Sequence, residues 1–208
     1  SLTPSPRQER EAKKTLVIAS SYSGNTEESI DAFEKAYERK LPVVAVATGG
    51  KLLEWAKHHN VPYIQLPDTK IQPRSALGFS LLALLKVTKQ NDLFKEAKEL
   101  ATTLRPQDVE SEGKALAERL KNKVPVIYAS QRNESVAYNW KIKFNETGKI
   151  PAFYNVFPEL NHNEINGLDV KEASRQLSGN FYFLFLKDSE DHPKIQKRIA
   201  VTAKLYRD

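Results

Sequence analysis

The apolar run Thr15-Leu16-Val17-Ile18-Ala19, followed at once by Ser20-Ser21-Tyr22-Ser23-Gly24-Asn25-Thr26-Glu27-Glu28, constrains the fold more than any other part of the chain. The run reads as a buried parallel strand, and residues 25–40 carry helical spacing. A strand that feeds a helix through a tight turn creates an anion site, because the first amide N–H groups of the helix lack partners and its dipole favours negative charge. Ser21, Ser23 and Thr26 add three neutral hydroxyl donors, and Gly24 lets the backbone approach a ligand closely. Neutral donors suit a ligand that is bound and released at each turnover, such as a sugar phosphate. The blander reading is a serine-rich turn with Asn25 or Thr26 as N-cap. The crowding of hydroxyls at one helix start favours the anion site.

The strand–helix alternation continues. Strands are expected at 41–47 and 61–66, a short helix at 51–60, a loop at 67–73 and an apolar helix at 75–87. Polar amphipathic helices at 91–104 and 109–121, the second capped by Asp108, form a connector. The pattern then restarts with strand 124–129, helix 133–149, strand 151–157, a loop, strand 181–186 and helix 193–206. Such alternation predicts an α/β protein of two halves, each a parallel sheet covered by helices on both faces in a doubly wound, flavodoxin-like plan. The divisions are a first half at 1–90, a helical connector at 91–122 and a second half at 123–208. Only the first half has a phosphate turn, since its counterpart Ala129-Ser130-Gln131-Arg132 has one hydroxyl and no glycine.

The chain has 208 residues, 40% of them apolar and 28% charged, enough for a real core. Its net charge of +6 comes from lysines and arginines interleaved with acids along helices. No basic stripe with interleaved aromatics is present, so a nucleic-acid partner is not expected. The absence of cysteine excludes disulfides and thiolate chemistry. No apolar run reaches membrane-spanning length, and no signal peptide is visible, which predicts a cytoplasmic protein without a membrane partner. The absence of methionine predicts that the natural ends are not all present. The histidines are dispersed: His58 and His59 end a helix near its terminal carbonyls, and His192 sits in an acidic surface run. No metal site is expected.

Two sets of residues carry a family resemblance. The stretch Ser21-Tyr22-Ser23-Gly24-Asn25-Thr26-Glu27-Glu28 resembles the phosphosugar-binding signature of the sugar isomerase (SIS) domain. Trp140-Lys141-Ile142-Lys143-Phe144-Asn145-Glu146 and Glu159-Leu160-Asn161-His162-Asn163-Glu164 resemble the C-terminal SIS half of bifunctional phosphoglucose/phosphomannose isomerases, as does Pro73-Arg74-Ser75 on the first side. The resemblance implies interconversion of glucose 6-phosphate, and of mannose 6-phosphate, with fructose 6-phosphate, without a cofactor. It implies Glu146 as catalytic base and His162 as the ring-opening acid–base. Arg74 becomes a substrate contact, and Ser21, Ser23 and Thr26 the phosphate ligands. It further implies a homodimer in which His162 reaches the neighbouring subunit's pocket. Three family features are missing: a glycine-rich turn before Thr15, an arginine where this chain has Asn139, and a later helix bearing a catalytic lysine. A fragment of a longer chain is expected.

The residues suit this chemistry independently. Moving a proton between C1 and C2 through an enediolate needs one base, an acid–base group for ring opening, and positive charge near the developing oxyanion. Glu146 lies near the C-terminal end of its helix, where the dipole disfavours a carboxylate and strengthens it as a base. His162 follows a strand at the carboxyl edge, where open α/β sheets place their ligands. A guanidinium at Arg74 suits an enediolate oxygen. The alternative function is a non-catalytic SIS-domain sensor, which accounts for the serine turn but gives Glu146 and His162 no joint purpose. A further rival is the isomerase half of a glucosamine-phosphate synthase, which calls for other second-half motifs.

Overall fold

The computed structural model describes residues 15–168 and 171–206. The chain divides into two compact units between Arg105 and Pro106. The first contains strand β1 (Val17–Ser20), helix α1 (Glu27–Glu38), β2 (Val43–Ala47), α2 (Gly50–His58), β3 (Tyr63–Gln65), a 3-10 turn (Pro73–Ser75), α3 (Leu77–Val87) and α4 (Asn91–Thr103). The second contains α5 (Pro106–Arg119), β4 (Val124–Ser130), α6 (Glu134–Glu146), β5 (Phe153–Phe157), short helical turns α7 (Glu164–Gly167) and α8 (Arg175–Ser178), β6 (Phe181–Phe185) and α9 (Pro193–Leu205).

In the first unit the sheet order is β1-β2-β3, all parallel, with Val17 opposite Val43 and Ala45 opposite Tyr63. Residues of β2 alternate between faces, as the two-residue period of a strand requires. Val43, Ala45 and Ala47 pack with Ala19 against Phe33 and Ala36 of α1 and Leu52, Leu53 and Ala56 of α2. Val46 turns the other way, onto Ala83 of α3 with Ile18, Ile64 and Phe79. Both faces are therefore covered, which explains why β2 is apolar throughout rather than alternating. α4 extends this unit by packing on α3, with Lys86 above the Phe94 ring at 5.8 Å.

In the second unit β4 is central in the order β5-β4-β6, again parallel, with Ser130 opposite Phe157 and Tyr128 opposite Phe185. One face carries Val126 and Tyr128 with Phe157, Leu160 and Ile199 of α9. The other carries Ile127 and Ala129 with Ala137 of α6. Tyr128 is fully buried and ringed by Phe157, Phe183, Phe185 and Tyr206 at centroid distances of 5.5–6.2 Å.

Two expectations from the sequence need correction. α5 begins at Pro106 rather than at Val109, so Asp108 lies in its first turn and is not its cap. Proline at a helix start gives up no hydrogen bond and already has helical φ. The stretch after β5, expected as a loop, contains 3-10 turns at Glu159–Asn161 and Glu172–Ser174 besides α7 and α8. These pieces are too short for their apolar periodicity to show in sequence.

Candidate active-site elements

The connection from β1 to α1, residues 21–26, is held from below by the connection from β2 to α2. The Ser21 amide donates to the Val46 carbonyl, and the Thr48 amide and hydroxyl both donate to the Tyr22 carbonyl, at 2.9 and 2.8 Å. The Leu52 amide donates to the Gly24 carbonyl at 2.9 Å, and the Lys51 amide to Asn25 Oδ1 at 3.1 Å. Gly24 has φ of +75°, and a Cβ there would lie 1.8 Å from the Gly49 carbonyl oxygen. Gly50, at φ +70°, would place a Cβ 2.6 Å from the Ser23 carbonyl oxygen. Thr48, Gly49 and Gly50 thus support the loop. Their signal in sequence was a Thr-Gly-Gly closing a strand, which marks a turn without revealing its partner.

The hydroxyls in this loop divide their work. Ser21 is 6% exposed, and its Oγ accepts from the Gly24 amide at 3.0 Å and the Thr26 amide at 3.4 Å. The Ser21 and Thr26 hydroxyls also share a hydrogen bond of 2.7 Å. Thr26 occupies the N-cap position of α1, but its side chain makes no capping bond because it is engaged with Ser21. Ser23 is exposed and accepts only locally, from the Asn25 amide at 3.2 Å. The amides of Glu27 and Glu28 head α1 without a carbonyl one turn back. Their carboxylates stand in the first turn and complement the dipole, so directed hydrogen bonds rather than net positive charge would hold an anion here. Arg74 sits in the 3-10 turn that follows β3. It is half-buried and lies at the same carboxyl edge of the parallel sheet as the 21–26 loop.

In the second unit, Glu146 is the last residue of α6 and is exposed. Its backbone is fixed by the preceding residue, whose Nδ2 donates to the Ile150 carbonyl at 3.0 Å. His162 closes the 3-10 turn after β5 at the carboxyl edge, with its side chain 84% exposed and Nδ1 3.7 Å from the Glu159 carboxylate. The two residues flank β5 and are not brought together within this unit.

The turn after β4 lies beside the loop that follows β6, in the crevice where the strand order reverses and ligands of open α/β sheets commonly bind. Here its own acids fill it. Arg132 pairs with Glu190 and with Asp188, and Asn133 Nδ2 donates to Asp188 Oδ2 at 2.9 Å. The Asn133 hydrogen bond, then the Glu190 amide and Arg132, hold the Asp188 carboxyl below its usual range. A carboxylate so placed repels phosphate, in keeping with the lack of a phosphate turn in this half.

His59 departs from expectation, whereas His192 is exposed as expected. The His59 ring stacks on Tyr37 at 4.4 Å and approaches Trp55 at 5.7 Å instead of bonding the helix-end carbonyls. His192 caps α9, its Nδ1 accepting from the Lys194 amide at 3.2 Å. Among the described residues no group of three or more His, Cys, Asp or Glu side chains could hold a metal. No helix among them is long and apolar enough to cross a membrane.

Parallel α/β units with a hydroxyl-lined loop at a helix start define this chain as a protein with the SIS-type phosphosugar isomerase fold. The solved tagatose-6-phosphate ketose/aldose isomerase of Escherichia coli superposes with a TM-score of 0.63 at 19% identity, over 93% of this chain and 53% of that one. Residues 109–208 match the family model described as the bacterial phospho-glucose isomerase C-terminal SIS domain. The bifunctional phosphoglucose/phosphomannose isomerase of Caldicellulosiruptor bescii is 39% identical over 208 residues, covering 93% of this chain and 60% of the relative. That of Aquifex aeolicus is 36% identical over 197 residues, covering 93% and 59%. Over 93% of its length the chain is similar to bifunctional phosphoglucose/phosphomannose isomerases, and its residues 109–208 to the C-terminal SIS domain of bacterial phospho-glucose isomerases. It spans about three fifths of the length of these relatives.

Proposed function

We propose that the protein interconverts aldose and ketose 6-phosphates, with glucose 6-phosphate and mannose 6-phosphate as aldoses and fructose 6-phosphate as ketose. The observation that carries this reading is that Glu146, at the end of α6, and His162, closing the 3-10 turn after β5, present exposed side chains from hydrogen-bonded backbone. A binding module has no use for such an arrangement. The relatives' names support the same reaction.

Each group has a role. The 21–26 loop receives the phosphate, with Ser23, Thr26 and the first amides of α1 as donors and Ser21 as both ligand and shaper of the loop. His162 opens the sugar ring, taking the proton from the C1 hydroxyl and delivering it to O5 as the C1–O5 bond breaks. Glu146 takes the proton from C2 of the open aldose, leaving an enediolate, and returns it to C1 while the O2 hydroxyl proton passes to O1, which gives the ketose. Arg74 supplies positive charge to an enediolate oxygen or holds the substrate. No step needs a metal or an organic cofactor. The two units are read as two SIS halves joined through α4 and α5, and the working assembly as a homodimer in which His162 serves the neighbouring subunit.

The test follows fructose 6-phosphate formation from glucose 6-phosphate and from mannose 6-phosphate in a coupled assay. Turnover of both is expected. Tight binding of hexose phosphate without turnover would instead establish the sensor reading.

A further inference from the structure

We propose that Asn161 and Thr202 form a latch that positions His162, and that this latch is needed for ring opening; the proposal rests on the reading of His162 given above. The imidazole itself is nearly free of its own unit, being 84% exposed with only the Glu159 carboxylate, among the described residues, near Nδ1. Its placement is therefore set by the backbone that carries it, and that backbone is fixed on both sides. Leu160, immediately before Asn161, is fully buried among Phe157, Tyr128 and Ile199. Asn161 Nδ2 donates to Thr202 Oγ1 at 3.0 Å, and Asn161 Oδ1 accepts from Arg198 Nη1 at 3.5 Å. On the far side, Asn166 Nδ2 donates to the His162 carbonyl at 2.9 Å, and Glu164 accepts from Asn155 Nδ2 of β5 at 2.6 Å.

Thr202 is the telling member. It lies on the inner face of α9 at 2% exposure, beside the apolar Ile199. A buried hydroxyl at such a site is costly unless it is partnered, and its partner is the residue adjacent to His162. The latch therefore transmits the position of α9 to the turn that bears the imidazole. Errors of about 1 Å in such a group cost roughly 10²-fold in rate, so a lost latch should act on catalysis out of proportion to its effect on folding.

Anomerisation of glucose 6-phosphate requires ring opening but no transfer of the C2 proton, so it reads the role of His162 separately from that of Glu146. The experiment measures catalysed exchange between the α and β anomers by NMR in the full chain carrying Glu146→Gln. Into this background are placed Thr202→Val, Thr202→Ser, Asn161→Ala and His162→Ala. Thr202→Val and Asn161→Ala are each expected to slow anomerisation about ten- to a hundredfold, with hexose phosphate affinity unchanged, and Thr202→Ser to restore it. Amide hydrogen exchange of residues 160–163 should speed up in Thr202→Val and return with serine. Anomerisation that depends on His162 but not on Thr202 or Asn161, or unaltered amide exchange, overturns the latch alone. Catalysed anomerisation independent of His162 overturns the underlying reading and the latch's catalytic role with it. Asn161→Ala alters a half-buried turn residue and keeps the test open if the buried Thr202→Val substitution unfolds the chain.

Discussion

Glu146 and His162 lie at opposite ends of β5: the first ends the helix that precedes the strand, the second closes the turn that follows it. Five strand residues span roughly 13–17 Å at about 3.3 Å each, so the two side chains of one unit cannot act on the same pair of carbon atoms. If both are catalytic, they serve different pockets. This is the arrangement expected when a two-fold dimer exchanges His162 between subunits. Mixing Glu146→Gln subunits with His162→Ala subunits should restore part of the activity that each lacks alone. Activity that stays at the level of the parents after verified subunit exchange would argue against the shared site.

Glu146→Gln preserves side-chain size but cannot accept the C2 proton. General-base contributions are commonly 10²–10⁴-fold, so kcat should fall by at least about 10²-fold with KM little changed. Solvent deuterium incorporation at C2 should vanish in parallel. Wild-type turnover and exchange in a folded mutant would remove Glu146 from the mechanism.

The 21–26 loop separates binding from shape. Ser23→Ala with Thr26→Ala should raise KM by roughly one to two orders of magnitude, at about 1–1.5 kcal/mol per hydrogen bond to a charged group. Gly24→Ala acts through the backbone, because the added Cβ meets the Gly49 carbonyl at 1.8 Å. We expect it to destabilise the first unit by at least about 2 kcal/mol, visible in urea unfolding. A Gly24→Ala protein of normal stability would mean that the two βα turns are not locked together.

Helices α1 and α3 each end in a Schellman motif whose left-handed residue is lysine. The Leu41 amide reaches the Ala36 carbonyl around Lys40 (φ 55°), and the Gln90 amide reaches the Leu85 carbonyl around Lys89 (φ 57°). Left-handed geometry costs a non-glycine residue roughly 1–2 kcal/mol, partly offset by the extra chain entropy that glycine brings to the unfolded state. Lys40→Gly and Lys89→Gly should each stabilise the protein by about 0.5–1 kcal/mol in denaturant titrations. A loss of stability in both would contradict this account.

Burial, with Tyr206 and Glu164 nearby, pushes the Tyr128 phenol far above its usual 10.0, and burial likewise raises Tyr206. Because the folded-state values lie above the unfolded ones, this contribution is complete below about pH 10 and is lost above it, as the unfolded chain ionises and the folded one does not. Among the described residues the Tyr128 hydroxyl makes no hydrogen bond of good geometry, so Tyr128→Phe should change neutral-pH stability by less than about 1 kcal/mol. It should also flatten the fall in unfolding free energy above pH 10, by up to about 1.4 kcal/mol per pH unit. Identical alkaline slopes in the two proteins would show that Tyr128 is not held protonated.

The strands and most helices were legible because burial on both faces writes itself into sequence as short apolar runs, as in Val43–Ala47 and Val124–Ser130. The turn at Ser21 was legible because hydroxyls, a glycine and a helix start fall within six residues. The reach of α5 back to Pro106 and the helical turns between β5 and β6 were not, since they depend on a single proline or on segments shorter than two helical turns.

Local sequence thus determined the parallel α/β plan, the loop chemistry and the residue types available for acid–base work, all of which depend on spacing within a few residues. Only tertiary structure decided that Ser21 serves the loop as much as any ligand, that Thr48-Gly49-Gly50 supports it, and that Thr202 holds the residue beside His162. It also decided that Glu146 and His162 stand apart within one unit. The Ser21 bonds reach three to five residues along the chain, whereas the Thr48 and Thr202 contacts join residues 26 and 41 positions apart, and the last is a separation across a strand. The longer contacts arise from where parallel strands and their crossover helices bring distant segments together, and a hydrogen bond of that kind leaves no periodic mark on the chain.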